Sequence, residues 1–213
     1  MNDTIGRRGV LRLLGSVPLA AGVVLTEGQA QAAQEGARRE AKAAAAKGKP
    51  FAPQFFSAHE WATVRLLVDV IIPRDDRSGS ATEAGVPEFM DYMLRDPLAT
   101  QRELEERQTA MRGGLAWLDL ECGDRFGKTF QDCSEQERTA VLDDIAYPEK
   151  VEKRPELSQG AAFFIRFRDL TASGFWSSRM GVLDLRYTGN TFVAEWTGCP
   201  PEVLAKIGLT PSG

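Results

Sequence analysis

The sequence predicts an all-α fold, a single helical domain that ends in an irregular, aromatic C-terminal arm. Three observations carry this expectation. Apolar residues recur at spacings of three and four, the signature of one buried helix face. Two Ser-x-x-Glu boxes, at Ser57 and Ser134, stand directly ahead of such runs as helix starts. No alternating apolar–polar run of strand length and no internal repeat interrupts them. The chain has 213 residues, 43% hydrophobic and 26% charged, enough for one core but not for two.

Residues 1–32 read as an export leader. Gly6-Arg7-Arg8-Gly9-Val10-Leu11-Arg12 carries the paired arginines Arg7 and Arg8 of a twin-arginine signal, with Gly6 ahead of them and Val10 at a position more often aromatic. The apolar stretch from Leu13 to Leu25 is broken by Gly15, Pro18 and Gly22 and falls short of the ~20 apolar residues that span a bilayer as a helix. Ala30-Gln31-Ala32 puts small residues at the two positions a signal peptidase reads, so cleavage is expected after Ala32. No cysteine follows the apolar stretch to accept a lipid.

Residues 33–54 follow as a flexible tether, rich in Ala, Lys and Gly, with Pro50 and Pro53 and little apolar surface to bury. The helical domain spans 55–213. Ser57 caps its first helix, in which Trp61, Val64, Val68 and Ile71 share a face, and Pro73 stops it. Arg74 to Gly85 is a polar loop. Val86-Pro87-Glu88 opens a second helix with Phe89, Met90, Met93 and Leu94 inward. Asp96-Pro97 reads as N-cap and first residue of a long charged helix, lined by Leu104, Met111, Leu115 and Leu118 and ending near Cys122-Gly123. Ser134 starts the next, with Val141, Leu142 and Ile145 inward and Pro148 after its stop. Ala161–Ala172 is helical through Phe163, Phe164, Phe167 and Leu170, closed by Ser173-Gly174. Residues 175–199, with three glycines and few helical spacings, form the arm, and Pro200-Pro201-Glu202 opens a last short helix that Gly208 closes.

Composition excludes several functions. Without residues 1–32 the chain loses three arginines and two acids and carries a formal charge of −5, so no basic stripe invites a nucleic acid. A single histidine, His59, cannot supply a histidine-rich metal site, and catalytic triads would all have to recruit it. No G-x-G-x-x-G turn, paired-cysteine cluster motif or C-x-x-C-H haem motif marks a cofactor. No catalytic, cofactor or metal residue is therefore expected in this chain. The twin-arginine route carries folded proteins, usually ones loaded with a cofactor. A folded-export signal on a chain with no cofactor motif implies a passenger.

Two blocks of sequence make the chain resemble the gluconate 2-dehydrogenase subunit 3 family. The first runs from Phe55-Phe56-Ser57-Ala58-His59-Glu60 through Val70-Ile71-Ile72-Pro73-Arg74-Asp75 to Ala84-Gly85-Val86-Pro87-Glu88-Phe89-Met90-Asp91. The second runs from Gly174-Phe175-Trp176-Ser177-Ser178-Arg179-Met180-Gly181 through Tyr187-Thr188-Gly189-Asn190-Thr191-Phe192 to Trp196-Thr197-Gly198-Cys199-Pro200-Pro201. The resemblance implies a small subunit without an active site in a periplasmic, membrane-associated complex. The partner it implies is a large FAD-containing dehydrogenase subunit of the glucose–methanol–choline type, acting on sugars or polyols. The resemblance also allows for a multihaem cytochrome c subunit, with haem c, that takes up the electrons, and the leader implies the Tat translocase as a partner during export. A free periplasmic adaptor or chaperone is the competing reading.

The remaining candidates follow from residue type and place. Cys122 and Cys133, across a glycine-containing connection, either form a local disulfide or are two buried thiols. Cys199 is the odd cysteine, available for a bond to the large subunit. Phe175, Trp176, Tyr187, Phe192 and Trp196, with Cys199, are the expected large-subunit interface, because aromatics are favoured anchors there. Asp69, Asp75 and Asp76 read as a solvated loop rather than a calcium ladder, and the adjacent Asp143 and Asp144 face different ways.

Overall fold

The first described helix lies where the sequence suggests a tether. A computed structural model describes residues 27–96, 99–186, 195, 198–199, 201–206 and 208. In it α1 spans Glu27–Ala46, running across the expected cleavage point and through most of 33–54. Ala30, Ala33, Gln34 and Ala37 are buried at helical spacing, and Gln34 Nε2 donates to Gly174 O at 2.7 Å. A Cβ at Gly36 would fall 2.7 Å from Tyr92 Oη, so only glycine fits there without moving that ring. The tether expectation is thus corrected, and the reason is physical. Alanine offers little side-chain area, but a small-residue face lets two helix backbones approach closely and bury surface that way, while alanine is also the best intrinsic helix former.

The chain then turns at Gly48 (φ 64) and runs to Ser57, the N-cap of α2 (Ala58–Ile71). Ser57 Oγ accepts from Glu60 N while Glu60 accepts from Ser57 N at 2.8 Å, the reciprocal box read from the sequence. Val64, Leu67 and Val68 are fully buried. Helix α3 (Val86–Met93) follows Gly85, whose φ of 82 suits glycine.

Helix α4 is Gln101–Phe126. Its N-cap is Thr100, not Asp96. Thr100 and Glu103 form a third capping box that satisfies two orphan N–H groups, a stronger start than Asp-Pro alone offers. The helix also continues past Cys122-Gly123 to Phe126, stopping at Gly127 with φ 69. Helix α5 (Glu135–Ala146) starts at the Ser134 box, and Pro148, expected only after a stop, opens α6 (Pro148–Lys153). A 3₁₀ turn at Pro155–Leu157 leads into α7, Ser158–Trp176.

Helix α7 runs straight through Ser173-Gly174, which the sequence suggests as its end. Gly174 is interior because a Cβ there would sit 2.7 Å from Phe89 Cδ1, so this glycine serves packing rather than termination. The same logic joins α7 to α4. A Cβ on Gly114 would lie 2.5 Å from Phe163 Cε2 and closer still to Cγ and Cδ2, and one on Gly160 would lie 2.6 Å from Trp117 Cζ2. Each helix thus offers a glycine notch to the other's aromatic ring. Helix α7 is the central element, packed on α3, α4, α5 and the short α8 (Arg179–Asp184), with α1 against its C-terminal end. The start of the expected arm is therefore helical at 175–176 and 179–184, with a turn at Ser177-Ser178 between the two helices. The last described helix, α9, is Pro201–Lys206. Among the described residues there is no strand, and no helix is long and apolar enough to cross a membrane.

Candidate interaction site

The turn from α7 into α8 is built from the Gly174–Gly181 block, most of whose residues have a defined task. Phe175 is 1% exposed and belongs to the core, so its place among partner-facing residues is corrected; α7 simply continues far enough to turn this ring inward. Trp176 is 39% exposed and meets Phe175 edge to face, ring centroids 4.9 Å apart. Ser177 Oγ donates to Ser173 O at 2.6 Å. Ser178 is buried and caps α8, its Oγ accepting from Gly181 N at 3.0 Å. Gly181 is obligatory, since a Cβ would lie 2.8 Å from the Phe175 carbonyl carbon. Arg77 anchors α8 to the 74–85 loop through Asp184 O and Asp184 Oδ1, the latter at 3.2 Å.

This frame holds apolar side chains in solvent. Leu183 and Leu185 are 66% and 55% exposed, beyond Trp176. Arg186 sits at φ 53, a conformation costly for a side-chain-bearing residue. Tyr187, Phe192 and Trp196 lie outside the described residues. Cys199 is exposed, and α9 buries none of its residues, leaving Val203 exposed. Leu183 and Leu185 carry no sequence signal of their own, since two leucines in a short segment suit core and surface alike; the backbone's turn at Ser178 puts them outside.

The two other cysteines are together and deep. Cys122 and Cys133 are buried free thiols that hydrogen-bond one another; burial first, then the Cys133 contact, pushes the Cys122 thiol up to about 12. The covalent bond is not formed in this structure. Next to them Asp119 accepts from Phe130 N at 2.9 Å and holds His59 Nε2 at 2.6 Å, while Gln131 Nε2 sits 2.9 Å from His59 Nδ1 and donates to His59 O. His59 is satisfied on both ring nitrogens. This cluster ties the start of α2 to the loop after α4.

Asp91 is the residue sequence reasoning overlooked. Fully buried, it accepts from the N–H groups of Gln54, Phe55 (2.9 Å) and Phe56, and from Arg95 Nε at 3.1 Å. Arg95 in turn pairs with Glu40 at 2.8 Å, so one carboxylate joins α1, the approach to α2, and α3. A lone acid between Met90 and Tyr92 gives no sequence signal beyond its position on an otherwise apolar face. Glu88 Oε2, nearby, lacks a partner, and burial raises its pKa above the ordinary 4.5.

Asp69 and Asp75, weighed as a cation ladder, and Asp144, weighed with Asp143, are engaged in local bonds. Asp75 accepts from Ser78 N at 2.8 Å and Arg77 N at 2.9 Å, which lowers its pKa, and Asp69 accepts from Thr82 N at 2.7 Å. Asp144 pairs with Arg125 at 2.8 Å and Arg154 at 2.6 Å. No group of three or more His, Cys, Asp or Glu that could hold a metal ion occurs among the described residues. Arg7 and Arg8 lie outside the described residues, and of the cleavage pair Ala30 is buried on α1 while Ala32 is exposed.

The described body is therefore a helical frame displaying a bent, apolar edge. A family model for gluconate 2-dehydrogenase subunit 3 matches residues 58–194, from α2 through the turn and beyond α8. The chain belongs to the gluconate 2-dehydrogenase subunit 3 family. The family is that of a subunit within a dehydrogenase complex. The match covers Asp91, the glycine notches at Gly114 and Gly160, and the Trp176–Gly181 turn, while α1 lies ahead of it. Comparison with curated proteins and with solved structures finds no match.

Proposed function

We infer that this member of the gluconate 2-dehydrogenase subunit 3 family is the non-catalytic small subunit of a periplasmic, membrane-associated dehydrogenase. It escorts a large FAD-containing subunit of the glucose–methanol–choline type through the Tat translocase and remains bound to it. That partner oxidises a sugar, polyol or gluconate, and its electrons pass to a multihaem cytochrome c. The observation that carries this reading is the pairing of an Arg7-Arg8 leader with a family of dehydrogenase subunits in a chain whose sequence bears no cofactor motif.

The exposed edge supplies a grip. Trp176 is an aromatic anchor of the kind that dominates interface energies, Leu183 and Leu185 add apolar surface beside it, and the backbone beneath them is already ordered by the α7–α8 turn, so docking has chiefly side chains left to order. Binding only the folded large subunit stabilises that fold by mass action. Tyr187, Phe192, Trp196 and Cys199 extend the same segment in sequence. Affinity purification of the tagged chain from periplasm tests the reading. A larger co-purifying band with a flavin absorbance spectrum is the expected result, and a colourless lone chain contradicts it.

A further inference from the structure

The expected peptidase site and the first docked helix occupy the same residues, and both cannot be satisfied at once. A peptidase binds its substrate as an extended strand with backbone hydrogen bonds exposed. Here Ala30-Gln31-Ala32 is helical, and the helix continues unbroken into Ala33, Gln34 and Ala37, which are 3%, 4% and 1% exposed against the rest of the domain. Gln34 is pinned to Gly174 O at 2.7 Å, and Gly36 lies beneath Tyr92. Glu40, two turns on, is locked to Arg95.

We propose that α1 is a latch that governs processing of this chain: the Ala32–Ala33 bond is cut only while the first turns of α1 are undocked from α3 and α7. The inference rests on the leader reading above. Cleavage adds water across that amide, leaving a carboxylate on Ala32 and an ammonium on Ala33. The shortened helix, 33–46, keeps Ala33, Gln34, Ala37 and Glu40 and can dock again. Its new positive charge at a helix N-terminus is unfavourable, and Glu35 in the new first turn offsets it. Cleavage of a transiently opened site follows the population of the open form when closing is fast. Docking therefore sets how long the leader stays attached to the folded domain.

The test uses the purified full-length chain in detergent micelles with a type I signal peptidase, cleavage at Ala32 being read by mass. A peptide covering residues 20–40 serves as the undocked reference, and amide hydrogen exchange over 31–41 reports docking independently. The folded chain should be cut slower than the peptide by on the order of tenfold or more. Ala37→Asp places a carboxylate in the seam, and Gln34→Ala removes the Gly174 bond together with the buried amide that makes it; both should speed cleavage and amide exchange in parallel, Ala37→Asp more. Wild-type chain cut at the peptide's rate, or variants that exchange faster without being cut faster, would overturn the latch. If the peptide itself resists, the leader reading fails, and the latch as a control of processing falls with it, whatever the exchange data show about docking.

Discussion

Two glycines on one helix should respond to the same substitution with opposite signs. Gly114 and Gly123 both lie within α4, where replacing an interior glycine by alanine gains about 0.8–1 kcal/mol of helix propensity. At Gly123 the nearest atom to an added methyl is 4.0 Å away, so that gain is realised in full. At Gly114 the methyl would overlap the Phe163 ring, which is buried and packed against Phe167 at 5.5 Å between centroids. Phe163 is 4% exposed, so the helices must part or its ring must leave its rotamer, and an overlap this deep falls in the upper part of the overpacking range, about 2–3 kcal/mol. Overpacking wins, with a net loss of about 1–2 kcal/mol after the propensity gain is subtracted. For a domain of this size that corresponds to a Tm lower by roughly 2–8 °C, against a rise of roughly 2–4 °C for Gly123→Ala. Thermal unfolding followed by circular dichroism reads both. Adding Phe163→Leu to Gly114→Ala should recover part of the loss, since the coupling lies in that one contact. A Gly114→Ala chain as stable as the wild type would refute the notch reading and with it the account of how α4 and α7 approach.

Asp91→Ala should cost about 3–5 kcal/mol, because three backbone N–H groups and part of Arg95 lose a buried acceptor; urea unfolding checks it, and a loss under 1 kcal/mol would remove Asp91 from its role as a joint. In the reduced folded chain iodoacetamide should label Cys199 alone, since the Cys122 thiol is buried and pushed up to about 12, with all three labelled after denaturation; early labelling of Cys122 would contradict the packing. Glu88 has a folded pKa raised by burial, so its contribution is full below the ordinary glutamate value of 4.5 and is lost as pH rises. Glu88→Gln should therefore gain stability over the wild type on going from pH 4 to pH 7, and a difference that shrinks with pH would reverse that sign.

The capping boxes at Ser57 and Ser134 and the faces of Val64, Val68, Phe89 and Phe167 were legible because capping and helical period are local signals. What was not legible depended on tertiary fit. Glycine reads as a stop, yet Gly174 lies inside α7 because Phe89 occupies the space of its side chain. Alanine reads as low burial, yet Ala33 and Ala37 are core residues because α1 lies close to its neighbours. For the candidate site, residue type alone named the 175–199 segment, and the structure sorts the side chains at its start into buried and exposed. Trp176 stays exposed, Phe175 turns inward, and Leu183 and Leu185 join the exposed edge once Ser178 and Gly181 set the turn.

The escort reading is tested most directly by changing Arg7 and Arg8 to lysine and following the large subunit rather than this chain. Cells carrying the double substitution should hold the FAD-containing dehydrogenase, and its activity, in the cytoplasm. A large subunit that reaches the periplasm in the same amount without the arginine pair would contradict the account.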